Sequence, residues 1–303
     1  MKRLFAFLLV CIIGSSAFGQ TKINMRSADR AECVKSDFTS LKASFSFSGL
    51  EAYDVNTERG VFSTLTMPNT VIGGNEGDPQ IPALSELIAV PFGAKPTIRV
   101  TSYSTTDYDL EDYGIHTLMP RQPDLRKDQR PEDAPFVYNE AAYQSTRGLR
   151  SEPMVRVSVD GTMRGVQIGR MSIEPVSYDP VNNKIRVFNN IEVEVSFNGA
   201  DARATEDILI STYSPYFNGI YEQLFNGRAV RDVYDEHPDL WQAPVRILVI
   251  ANRMFEDCIQ DWLAWKTTKG IYVDVNYTDN IGTTASAIKS FIQNKFAQNA
   301  PTF

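Results

Sequence analysis

Ile191-Glu192-Val193-Glu194-Val195-Ser196-Phe197 alternates apolar and polar residues without a break. Successive side chains on an extended strand point to opposite faces, so this pattern gives a strand with one buried and one wet face. The same period runs outward along the chain. Ile185 and Val187 follow the turn-forming pair Asn182-Asn183. Val155, Val157 and Val159 run into Asp160-Gly161, a strong turn dipeptide, with Val166 and Ile168 on its far side. Ile98 and Val100 flank Arg99, and Ala43, Phe45 and Phe47 alternate with serines. No helix-period stretch of convincing length interrupts residues 40–200. Short half-polar strands broken by Gly, Pro and Asn predict a mainly β, antiparallel sandwich or barrel.

Between the strands, Leu118 to Gly148 holds Pro120, Pro123, Pro131 and Pro135 together with Arg121, Arg126, Lys127, Arg130 and Arg147. Prolines cannot join a ladder and clustered charge resists burial, so an exposed loop is expected there. A loop of that length tends to be functional or disordered.

The texture changes after about Tyr213. Tyr216 to Phe225 suits a short helix. Asn226 to Asp239 is polar and charged, with Arg228 and Arg231 followed by Asp232, and reads as a boundary linker. Beyond it, Val245 to Ala251 is a continuous apolar run, as in a strand covered on both faces. Phe255, Cys258, Ile259, Trp262, Leu263 and Lys266 fall at helical spacing, and Gly270 suits the residue after the helix end. Tyr272 to Tyr277 reads as a second strand, and Thr283 or Thr284 as the cap of a second helix. The order strand–helix–strand–helix opens a parallel sheet. Two strands cannot bury both faces of such a sheet, so the α/β part is expected to be incomplete and the sequence a fragment.

The chain has 303 residues, 43% hydrophobic and 22% charged, which gives room for two domains. Its net charge of −7 argues against nucleic-acid binding. Three cysteines and two histidines exclude a disulfide scaffold and any zinc site needing several Cys or His ligands. Lys2 and Arg3, the apolar run Leu4 to Ile13 and Ala17-Phe18-Gly19 form a secretory signal peptide pattern, cut between Gly19 and Gln20. No later segment is long and apolar enough to span a membrane. Secretion permits disulfides, but Cys33 and Cys258 lie far apart in regions of different character.

Cys258 sits on an apolar helical stripe and reads as a small buried hydrophobe rather than a nucleophile, the candidate bases being His116 and His237. Asp232, Asp235, Glu236 and Asp239 could bind calcium, but their spacing does not match an EF-hand loop, and a solvated linker is the reading adopted. Asn75-Glu76-Gly77-Asp78 is read as a turn. There is no phosphate loop, no Gly-x-Ser-x-Gly elbow and no His-Glu-x-x-His. No complete catalytic constellation, metal site or cofactor is expected.

Longer strings carry a resemblance. Ile88-Ala89-Val90-Pro91-Phe92-Gly93-Ala94, Leu118-Met119-Pro120-Arg121-Gln122-Pro123, Pro135-Phe136-Val137-Tyr138-Asn139 and Asn189 to Phe197 resemble the propeptide of the gingipains, most closely the lysine-specific branch. Asp232-Val233-Tyr234, Pro244-Val245-Arg246 and Trp262-Leu263-Ala264-Trp265-Lys266 look like the start of the mature peptidase. The resemblance implies a secreted cysteine endopeptidase zymogen. Its β-sandwich propeptide, here residues 20–231, inhibits the peptidase and assists its folding. Its peptidase is a caspase-like α/β domain, of which residues 232–303 are the first, βαβα part. The implied partner is the chain's own or a related gingipain-type catalytic domain. The family's catalytic His and Cys lie downstream, so Cys258, His116 and His237 inherit no role. Cleavage is expected after Arg231, at Asp232, with Arg228 as a second site. Lys127 is the expected inhibitory residue, then Arg126, then Arg121. The alternative is a stand-alone secreted binding or adhesion module, or a free-standing inhibitor.

Overall fold

The computed structural model describes residues 20–130, 134–240, 244–299 and 302–303. The signal-peptide assignment, Gly19 included, lies outside the described residues. Two compact units are present, one of residues up to Thr205 with Gln223–Val230, the other of Glu206–Glu222 with Arg231–Phe303.

The first unit is built from antiparallel strands. β1 (Gln20–Asn24), β4 (Gly49–Thr57) and β5 (Gly60–Thr66) form one sheet in the order β1-β4-β5. A second, β6-β7-β10-β9, comprises Val71–Gly73, Ile81–Val90, Val166–Glu174 and Met154–Met163. The third, β11-β12-β3-β2, comprises Val176–Asp179, Lys184–Asn198, Ser40–Ser46 and Arg30–Ser36, and β8 (Lys95–Asp109) also pairs with β12. The alternating stretch behaves as its pattern requires. Ile191, Val193, Val195 and Phe197 are buried, while the intervening residues of β12 face outward. They share one core with Leu41, Phe45, Leu84, Ile88, Met171 and Ile173, drawn from the second and third sheets. Burying such a side chain contributes about 1.5–3 kcal/mol, so this core holds the sandwich together.

A β-bulge interrupts β12 at Asn189–Asn190, where the register to β8 shifts and Asn190 takes φ 49°. The Asn189 carboxamide then stands in for a strand neighbour. Its Oδ1 accepts from Phe47 N–H at 2.9 Å and its Nδ2 donates to Phe47 C=O at 2.9 Å.

Asp160-Gly161 is not the β9–β10 turn. β9 continues to Met163, and the turn is Arg164-Gly165, with φ 43° and 88°. Two consecutive left-handed residues are what a tight hairpin turn demands. Asp160 is instead the unpaired residue of a bulge, because Ile168 pairs with Gly161 and Gly169 with Val159. Its carboxylate accepts from Arg170 Nε at 2.9 Å.

Helices follow. α1 (Glu140–Tyr143) is a single turn, and α2 (Ala202–Ser211) has no counterpart in the sequence reading. Asp201 caps α2 through Ala204 N–H at 2.9 Å. Tyr216 to Phe225 contains only a 3-10 turn, Pro215–Phe217, and α3 (Asn218–Tyr221).

In the second unit, β13 (Arg246–Ala251) and β14 (Tyr272–Tyr277) pair in parallel. The expected helix from Phe255 is shorter. Two 3-10 turns, Arg253–Phe255 and Asp257–Ile259, precede α5 (Gln260–Thr268), and Gly270 follows it with φ 76°. α6 (Thr278–Ile281) and α7 (Ala285–Asn299) complete the unit, and Thr284 Oγ1 caps α7 through Ala287 N–H at 3.2 Å. Every residue of β13 is only half-buried. Cys258 is exposed, not buried as its stripe suggested. A two-stranded sheet has too little surface to cover that stripe, and Phe255, Trp262 and Trp265 stay exposed with it.

Candidate functional site: a basic loop and a processing segment

Leu118 to Gly148 is not uniformly exposed. Its base is built into the sandwich. Leu118 is fully buried; its N–H donates to Tyr178 Oη at 3.3 Å and its C=O accepts from Tyr143 Oη at 2.6 Å. Burial pushes the Tyr178 phenol up to about 12 and drives that of Tyr143 higher still. Met119 N–H donates to Ser63 C=O of β5, and Gln80 N–H to Met119 C=O. The outgoing arm thus pairs like a short strand.

The Asn75–Asp78 turn ties both arms down. Arg121 N–H donates to Asp78 C=O at 2.8 Å, Gly77 N–H to Arg121 C=O at 2.8 Å, and Asn139 N–H to Gly77 C=O at 2.9 Å. Gly77 takes φ 82°, and a Cβ there would lie 3.1 Å from Asn139 N, so only glycine suits this hub. On the return arm, Phe136 and Tyr138 pack against Phe62, and Tyr138 stacks on Tyr143 at 4.4 Å. Arg59, from the β4–β5 hairpin, lies over Phe136 and Tyr138 at 5.9 and 5.2 Å.

The three basic candidates differ sharply. The Arg121 side chain is 29% exposed; its Nη1 donates to Ile72 and Gly74 C=O and its Nη2 pairs with Asp124 at 3.6 Å. Arg126 is 75% exposed and pairs with Asp128 at 3.3 Å. It opens a β-turn closed by Gln129 N–H donating to Arg126 C=O at 3.0 Å. Lys127 is exposed within that turn and pairs with no described residue.

The processing residues lie in a helix, not in an open linker. α4 (Arg228–Asp235) contains Arg228, Arg231 and Asp232. Val230 and Val233 are both buried at helical spacing, and Arg231 pairs with Asp235 one turn on. Before α4, the chain covers the free edge of β7. Phe225 N–H donates to Leu87 C=O at 2.8 Å, and Phe225 stacks on Phe45 at 5.5 Å. The buried Asn226 accepts from Ala89 N–H at 2.7 Å and donates to Ala89 C=O at 3.0 Å and Ser36 Oγ at 3.1 Å. Sequence reasoning passed over both the buried Asn226 and the half-buried Gln122, because such a carboxamide looks in sequence like any surface one.

Gln20 begins β1, its Nε2 3.3 Å from Glu51. His116 lies in the first unit, its N–H donating to Ser63 Oγ and its Nε2 4.0 Å from Asp54. Among the described residues no helix is long and apolar enough to cross a membrane.

Fold and site together define a class of protein: an antiparallel β-sandwich that displays a basic turn on a fixed neck. A family model, Propeptide_C25, matches residues 24–216. Lys-gingipain of Porphyromonas gingivalis is 43% identical over 312 residues, covering 100% of this chain and 18% of that protein. Gingipain R2 of the same organism is 24% identical over 288 residues, covering 94% of this chain and 38% of that protein. A structure concerning the zymogenic latency of gingipain K from P. gingivalis superposes with a TM-score of 0.56 at 43% identity, covering 60% of this chain and all of that one. A complex of the RgpB pro- and mature domains shares the fold, with a TM-score of 0.51 at 20% identity, covering 67% of this chain and 100% of that one. The chain belongs to the Propeptide_C25 family, and it spans less than a fifth of the Lys-gingipain it matches.

Proposed function

We propose that this chain is the N-terminal part of a secreted gingipain-like cysteine endopeptidase zymogen, and that its β-sandwich inhibits a lysine-specific peptidase domain by offering it Lys127. The observation that carries the reading is the state of that lysine: exposed in a tight turn, with no described partner, on a neck fixed to the sandwich. A pocket selective for a basic side chain must hold a carboxylate or equivalent acceptors, and a lysine already paired elsewhere would have to break that pair first. Arg126 carries such a pair and Arg121 several bonds. That ranks Lys127 first, Arg126 second and Arg121 third. The family match and the 43% identity to Lys-gingipain support the peptidase as the partner. Secretion rests on the sequence of residues 1–19. Processing is proposed after Arg231, with Arg228 second; both require α4 to open, since proteases take their substrates extended.

The test is binding of residues 20–303 to a lysine-specific gingipain whose nucleophile has been replaced. Lys127→Ala is expected to weaken binding by about 2–5 kcal/mol, much of it from a pocket charge left unpaired. A wild-type chain that does not bind refutes the inhibitory role. Equal binding by Lys127→Ala refutes the choice of residue.

A further inference from the structure

We propose that Gln122 is a positioning residue: its carboxamide closes the neck of the basic loop and thereby fixes where Lys127 is presented. This rests on the inhibitory reading above. Val137 N–H donates to Gln122 Oε1 at 3.0 Å, and Gln122 Nε2 donates to Val137 C=O at 3.0 Å, across 15 residues of sequence. The same Nε2 donates to Pro120 C=O at 2.9 Å. A carboxamide carries the donor and acceptor of a peptide group, so it can satisfy both polar groups of one facing residue. Asn189 does so for Phe47 and Asn226 for Ala89, each where a strand lacks a neighbour. Gln122 repeats the device where no strand exists at all.

Among the described residues, its position makes it the only such link between the base of the neck and the turn at its tip. Every hydrogen bond joining the two arms between the Asn75–Asp78 hub and the Arg126–Gln129 turn comes, among the described residues, from the Gln122 side chain, and the turn itself is closed by two bonds between Arg126 and Gln129. Arg59 steadies the return arm alone, through Phe136 and Tyr138. Arg121 pairs with Asp124 on its own arm, and Arg126 with Asp128 within the turn. Without Gln122, hydrogen bonds among the described residues would join the arms only at the base, through the Asn75–Asp78 hub and Tyr143 Oη to Leu118 C=O, and at the tip, through the Arg126–Gln129 turn. The closed loop would then grow little, and closure entropy rises only with the logarithm of length. Orientation is what would be lost. Each arm could swing about its own anchor, and binding would have to order both again.

The experiment is a double-mutant cycle on residues 20–303, titrated by calorimetry against the nucleophile-replaced lysine-specific gingipain. Gln122→Ala is expected to weaken binding roughly tenfold, about the worth of one or two net hydrogen bonds, with the melting temperature unchanged. In a Lys127→Ala background the same change is expected to matter less than about twofold, because the side chain being positioned is gone. Gln122→Glu keeps the acceptor for Val137 N–H but sets a carboxylate against two carbonyls, and is expected to weaken binding at least as much. Equal affinity of Gln122→Ala and wild type overturns the inference. So does an equal loss in both backgrounds, which would mark a general effect on the surface. Absence of binding by the wild type overturns the inhibitory reading itself, and this inference with it.

Discussion

Asn226→Ala removes three hydrogen bonds and leaves two backbone groups stranded. β6 covers β7 only over Ile81–Ala83, so the edge further along depends on the segment before α4. There Asn226 is 3% exposed and Ala89 8%. Truncation leaves Ala89 N–H and C=O without their partner, and the bond to Ser36 Oγ goes with them. An orphaned buried polar group costs about 1–3 kcal/mol, and partial entry of water relieves some of that. Together with the cavity, the expected loss is about 3 kcal/mol. Urea unfolding of residues 20–303, followed by tryptophan-independent far-ultraviolet dichroism of the strands, measures it as a lower midpoint with an unchanged slope. Asn226→Asp is informative beside it. It keeps the acceptor but loses both donors, and it buries a charge, so it is expected to be no milder. A loss below about 1 kcal/mol for the alanine variant would show that the β7 edge does not need this cover.

Gly169→Ala places a Cβ 2.7 Å from Val90 Cγ2 and 2.9 Å from Ser158 O, so a loss of about 2–3 kcal/mol is expected, while Gly161→Ala, with nothing within 4 Å, should be near neutral in the same melts. Asp37 caps the β2–β3 connection by accepting from Thr39 Oγ1 and N–H and from Ser40 N–H, which holds its carboxyl well below the usual range. Its contribution is full above the unfolded-state value of 3.8 and is lost as pH falls through the lower folded value; the gap between wild type and Asp37→Asn should therefore close in acid, and a gap constant down to pH about 2 refutes it. Burial raises Tyr178 to about 12, so stability should fall as pH climbs from 10, where an unfolded phenol ionises, toward 12, and Tyr178→Phe should flatten that fall in an alkaline denaturation series.

The β-rich fold was legible because one physical rule, alternation against a buried face, leaves its mark on every residue of a strand such as β12. Turn chemistry was less so. Asp160-Gly161 and Arg164-Gly165 both end in glycine, and only the pairing of β9 with β10 decides which glycine takes φ > 0. α4 was missed because its buried face is just Val230 and Val233 among charges, a stripe too narrow to stand out. The loop's composition gave its exposure at the tip and hid its anchoring at the base. Leu118, Tyr138 and Tyr143 are the apolar residues that bind it to the sandwich, yet prolines and arginines dominate the count. The carboxamides leave no sequence signal whatever, since their effect depends on which backbone they meet.

The placement of α4 has a consequence for what a released propeptide would be. A helix of 8 residues is marginal by itself, so it can open for a protease while the sandwich stays folded. The residues that cover the β7 edge, Phe225 and Asn226, precede both arginines. A cut after Arg231, or after Arg228, would leave that cover on the sandwich side. The freed sandwich would then keep its edge, its core and the neck held by Gln122. On the proposed inhibitory role, a cut in α4 would remove the tether but not the inhibitor, which would go on competing for the pocket at its own affinity. Loss of inhibition would need a second event, and the exposed turn at Arg126-Lys127 is the place where a basic-specific protease could deliver it. On that proposed role, activation would run in two steps, a cut in α4 that leaves inhibition concentration-dependent and a cut in the Arg126–Gln129 turn that ends it.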